Sequence, residues 1–113
     1  MNLQSTFREN NVNQLIETTQ NENGEIIVNG RDLHEFLEVK TEYKDWFPRM
    51  VEYGFIEGVD YVKFTEKVEA QKRARTYEQK NHAIKLDMAK QLGMLQRTEK
   101  GMQIREYFLK LES

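Results

Sequence analysis

The chain has 113 residues, 38% of them hydrophobic and 32% charged, no cysteine, and a formal charge of −2. That is the size of one domain with a single modest core, and it excludes disulfide staples, cysteine zinc sites and thiol catalysis. Apolar runs such as Ile26-Ile27-Val28 are too short to span a membrane, and Met1-Asn2-Leu3-Gln4-Ser5 does not read as a secretion signal. No membrane partner is therefore expected.

Charge is unevenly spread. Residues 1–62 hold 5 basic and 12 acidic side chains, whereas residues 63–85 hold 7 basic and 3 acidic ones. Salt screens charges beyond roughly 10 Å, so one basic segment can meet a polyanion on an otherwise acidic protein. The plainer reading of the same segment is a solvated charged loop.

In chain order, residues 1–13 are polar and rich in Asn and Gln, so they are expected to be weakly ordered, with one domain over 14–113. Leu15-Ile16 and Ile26-Ile27-Val28 flank Asn23-Gly24, a tight-turn signal for a hairpin. Asn29-Gly30 is a second turn. Leu33, Phe36 and Leu37 then form one stripe of a short helix, and Tyr43, Trp46, Phe47, Met50 and Val51 form the stripe of another. Thr41 is placed to cap that second helix, Pro48 to kink it or delay its start, and Gly54 to end it. Val59 to Phe64 alternates as a strand, and Asn81 to Leu86 returns, with a long charged tip between them. Asp87 and Thr98 are expected to cap two final helices carrying Met88, Leu92 and Leu95, then Ile104, Tyr107, Phe108 and Leu111.

The predicted class is α+β: a small winged-helix-like domain with short β-hairpins and about four helices. Enzyme chemistry finds no support. His34 and His82 lie on different elements without companion ligands, Gly58 and Gly101 are isolated, and no serine sits on a nucleophile elbow. No metal and no cofactor are expected.

With these segments placed, five stretches in order resemble the AntA/AntB family of phage antirepressors. They are Val28-Asn29-Gly30-Arg31-Asp32-Leu33-His34-Glu35-Phe36-Leu37, Lys44-Asp45-Trp46-Phe47-Pro48-Arg49-Met50 running into Glu52-Tyr53-Gly54-Phe55, Gly58-Val59-Asp60-Tyr61, His82-Ala83-Ile84-Lys85-Leu86-Asp87-Met88-Ala89-Lys90, and Glu99 to Phe108. The resemblance spans roughly residues 15–112. It implies a regulator from a temperate phage or prophage, acting in the bacterial cytoplasm, that opposes a repressor and so favours lytic genes. Two routes stay open: contact with DNA, or capture of the repressor protein without touching DNA.

If DNA is the target, the candidate contacts are Lys40, Lys44 and Arg49 around the second helix and Lys63, Lys72, Arg73, Arg75 and Lys80 on the hairpin. Lysine and arginine on a wing hold phosphates, and an arginine on a helix can reach guanine. Asp45 and Glu52 on the second helix oppose this. Tyr43, Trp46 and Phe47 read as core. Tyr107, Phe108, Leu109 and Leu111 make the last helix wide in apolar surface, a possible contact for a partner or a second copy.

Overall fold

The computed structural model describes residues 15–70 and 75–112, and of Ala70 and Arg75 the backbone only. Among these residues the order is β1 (Thr18–Gln20), β2 (Ile26–Asn29), α1 (Gly30–Leu37), α2 (Tyr43–Val51), β3 (Tyr61–Ala70), β4 (Arg75–Lys85), α3 (Leu86–Gln96) and α4 (Glu99–Glu112). The α+β class is as expected, with four helices and one four-stranded sheet. The expectation for the N-terminal segment lies outside the described residues.

The first hairpin turns where Asn23-Gly24 places it. The Asn21 side-chain oxygen accepts the backbone N–H groups of Asn23 and Glu25 at 3.0 and 2.9 Å. Gly24 supplies the left-handed conformation at φ +78. The strand entering the turn is Thr18–Gln20 rather than Leu15-Ile16. Ile16 instead packs into the core, and its carbonyl accepts the Tyr107 hydroxyl at 3.1 Å.

All pairings are antiparallel, in the order β1-β2-β4-β3. β4 pairs with β2 only over Ala83 to Lys85, while β3 follows it from Ile84 out to Arg75. Over the described residues the hairpin is therefore a long two-stranded ribbon, not a pair of short strands ending at Phe64 and returning at Asn81. Charged residues at alternating positions hide a strand from an apolar-periodicity reading, because both faces of an outlying ribbon meet water.

At its root the ribbon presents alternate residues to opposite sides. Tyr61 and Ile84, paired across the strands, pack into the core with Ile26 and Val28 of β2. Their neighbours Val62 and Phe64 face away from the helices and are 51% and 39% exposed. Leu33, Leu37, Trp46, Phe47, Met88, Leu92, Ile104 and Phe108 complete the core on the helical side. The indole Nε1 of Trp46 is buried and has no hydrogen-bond partner among the described residues.

The helix starts follow the chain's local chemistry with two corrections. Asn29 caps α1, its side chain accepting from the Asp32 N–H at 3.0 Å. Thr98 caps α4, its hydroxyl accepting from the Gly101 N–H at 3.1 Å. Thr41 does not cap α2: Glu42 occupies that position without a side-chain bond, and Thr41 gives its carbonyl to His34 Nε2 at 2.7 Å. Nor does Asp87 cap α3, because β4 runs straight into the helix with Lys85 at the junction. Asp87 sits in the first turn, where its charge favours the helix dipole. α2 continues through Pro48 to Val51. α3 and α4 approach at Gly93 and Gly101, where a Cβ on Gly93 would lie 2.7 Å from the Ile104 methyl and one on Gly101 would collide with the Gly93 carbonyl.

Candidate nucleic-acid interface

A cleft of about 460 Å³ opens between α2 and the root of the β3–β4 ribbon. Lys44, Phe47, Pro48 and Val51 form one wall, at the i, i+3, i+4 and i+7 spacing of a helix face. Tyr61 and Lys63 of β3 with Lys80 and His82 of β4 form the other. They share a wall because strand alternation and the Lys63–His82 pairing put them on one face. Arg31, at the start of α1, closes the end, and Glu57 comes from the loop before β3.

Four cations therefore surround the cleft against one carboxylate. Lys44, Lys63 and Lys80 are exposed. Lys63 stands 3.9 Å from Glu57 and Lys44 4.0 Å from Glu42, long and exposed pairs of little energetic weight. Glu57 is positioned by the Asp60 carboxylate, which accepts the Ile56 N–H at 2.8 Å, and by Gly58 turning the loop at φ +86.

The floor is aromatic and rigid. His82 stacks on Phe47 with ring centroids 3.7 Å apart at 11°, and the edge of Tyr61 meets it at 5.6 Å. His82 Nδ1 shares a hydrogen bond of 2.6 Å with the Tyr43 hydroxyl. Arg31 lies over the Tyr43 ring at 4.5 Å and donates from Nε to the Lys80 carbonyl at 2.7 Å, which fixes its guanidinium to both walls. Gly30 is needed here, because a Cβ would collide with the Tyr43 hydroxyl. Burial holds the Tyr43 phenol protonated well above the usual tyrosine range. Burial, and then the charges of Arg31 and Lys63, push the His82 imidazolium down to about 4, so the ring is neutral at pH 7.

The opposite face of the ribbon root is tied by Asn81, only 1% exposed. Its side-chain oxygen accepts the backbone N–H groups of Arg31 and His82 at 3.1 and 2.7 Å, and its amide donates to Asn29 and Glu66, each at 3.0 Å. Gln79 adds a second donor to Glu66 at 2.7 Å. One buried asparagine thus fixes α1, β2 and both ribbon strands relative to the cleft.

Of the residues expected from the sequence, Lys44, Lys63 and Lys80 come together here. Lys40 and Arg49 are exposed but do not line the cleft. Lys72 and Arg73 lie outside the described residues, and Arg75 is described by its backbone alone, opposite Ala70. Lys67, on the same ribbon face as Lys63, extends the cationic stripe outward. Arg31 and His82 were missed as site residues. Arg31 reaches the cleft across 49 residues of sequence, and its one local signal is its place directly after the Asn29-Gly30 turn. Tyr77, paired with Val68 on the outer ribbon, is 51% exposed.

The expected partner contact on α4 needs correction. Tyr107 and Phe108 are 6% and 0% exposed, because their stripe packs on this chain's own core. Of the four, Leu109 is 38% exposed and Leu111 is half-buried against the core, while the most exposed apolar side chain of that helix is Met102 at 67%. Among the described residues no group of three His, Cys, Asp or Glu could hold a metal ion, and no helix is long and apolar enough to cross a membrane.

A family model described as AntA/AntB antirepressor matches residues 28–98, from the middle of β2 to the cap of α4. That span contains every residue of the cleft. No curated protein and no solved structure matches the chain.

Proposed function

The chain belongs to the AntA/AntB antirepressor family. From that premise we propose that it relieves repression of phage lytic genes in the host cytoplasm by contacting DNA, with α2 and the ribbon used in the manner of a helix and wing. The observation that carries this reading is the gathering of Arg31, Lys44, Lys63 and Lys80 from α1, α2, β3 and β4 around one cleft on a protein of net charge −2. Cations with no base-reading amide among them suit the phosphate backbone, which sets affinity and register rather than sequence choice. Arg49, exposed on α2, is the candidate for base contact.

The test is duplex DNA binding across a salt series. Affinity falls steeply with salt, with a slope of about −0.9 for each phosphate neutralised. Replacing Lys63 and Lys80 with Ala lowers the affinity and flattens that slope by about 2. Binding insensitive to salt, or unchanged in the double variant, contradicts the proposal.

A second reading, capture of the repressor protein, is favoured by the sheet face turned away from the cleft. There Ile27, Phe64 and Ala83 line a hollow of about 270 Å³ bordered by Glu17 and Asp32. Burial and then the neighbouring carboxylates raise the Asp32 pKa. An apolar centre with an acidic border suits a basic protein surface. Repressor association lost on Phe64→Ser, with Lys63→Ala harmless, would establish it in place of the first.

A further inference from the structure

His82 stands among the cleft cations as a neutral ring with one nitrogen engaged. Its Nδ1 is taken by the Tyr43 hydroxyl at 2.6 Å, and the ring is clamped by its stack on Phe47. Nε2 has no hydrogen-bond partner among the described residues, and the half-buried ring lines the cleft. The groups that face it come from every surrounding element. They are Arg31 of α1, Tyr43 and Lys44 of α2, Glu57 of the preceding loop, Tyr61 and Lys63 of β3, and Lys80 of its own strand.

We infer that the cleft floor is a phosphate site, in which Arg31, Lys63 and Lys80 hold the anion and His82 Nε2 donates a hydrogen bond to it, and that filling the site takes up a proton at His82. This deepens the DNA reading by naming the ligand group and a positioning residue. The donor is oriented before the ligand arrives, because Tyr43 and Phe47 fix the ring. In the empty cleft burial, and then the charges of Arg31 and Lys63, oppose protonation of the ring. A phosphate opposes the cations' share, since an opposite charge within hydrogen-bond range raises a histidine pKa by about 1–3 units. A shift of about two units makes binding about tenfold tighter near pH 5 than near pH 8. The Glu57 carboxylate lines the same cleft, so the His82 share is isolated by substitution.

The sequence contains only two histidines, which makes the ring signals simple to follow by NMR. His34, bonded to the Thr41 carbonyl and absent from the cleft lining, is the internal reference. The full chain is titrated with acid alone, with a short duplex, and with inorganic phosphate. The expected result is an upward shift of the His82 titration by about 1–3 units with duplex and little movement of His34. In His82→Gln the ratio of DNA affinity at low and high pH drops from about tenfold toward one. Duplex binding with the His82 titration unmoved overturns the inference and leaves the cation reading standing. A shift with inorganic phosphate but no duplex binding at any salt keeps the phosphate site and removes the DNA reading. No shift with either ligand removes the phosphate site.

Discussion

The two faces of the ribbon root are made from alternate residues of the same strands, yet they meet different surroundings. Tyr61, Lys63, Lys80 and His82 face the helices and the cleft, whereas Val62, Phe64, Asn81 and Ala83 face the other way. A slip of one residue in register would move the lysines out of the cleft and put Val62 and Phe64 into it. The site's charge is therefore specified by the same alternation that buries Ile84 and Tyr61. Asn81 reinforces that register by bonding to α1, β2 and β3 at once.

Substitutions at neighbouring positions test this contrast, beginning with the largest effect. Ile84 is fully buried on the helical side, so Ile84→Ala costs about 2–5 kcal/mol in urea unfolding. Asn81→Ala leaves the N–H groups of Arg31 and His82 unpaired and costs about 1–3 kcal/mol. It also weakens DNA binding, since Arg31 loses its anchor. Urea unfolding with the loss confined to one of these two positions would show that the faces do not share a register.

A third test uses pH. The folded His82 pKa lies near 4, below its ordinary 6.5, so the unfolded chain takes up the proton first. Its contribution to stability is present above about pH 6.5 and is lost as pH falls toward 4, amounting to about 1–2 kcal/mol once screening of the half-buried ring is discounted. Comparing the stability-pH curves of the wild type and His82→Gln isolates this from the carboxylates, and parallel curves would refute it. The smallest effect belongs to Phe64→Ser on the face turned away from the cleft, where removing a partly exposed ring changes stability by about 1 kcal/mol or less. A loss as large as that of Ile84→Ala would mean that this face is covered.

Much of this arrangement is legible in the sequence. The apolar stripes of α1, α2 and α4 appear at helical spacing, and the basic stretch of residues 63–85 marks the ribbon. The strand lengths are not legible, because β3 and β4 beyond the sheet have no buried side to impose an apolar period. The cleft itself was only half visible. Lys44, Lys63 and Lys80 stand out by charge, but Arg31 and His82 acquire their roles from contacts made across the fold. Tyr107 and Phe108 show the converse error, in which an apolar stripe read as a partner surface is consumed by the chain's own core.

The most direct test of the account is a chemical-shift map of the full chain with duplex DNA at low salt. The account predicts perturbations concentrated at Arg31, Lys44, Lys63, Lys80 and His82, with Ile27, Val62 and Phe64 unmoved. Perturbations confined to Ile27, Val62 and Phe64, or none on either face, would contradict it.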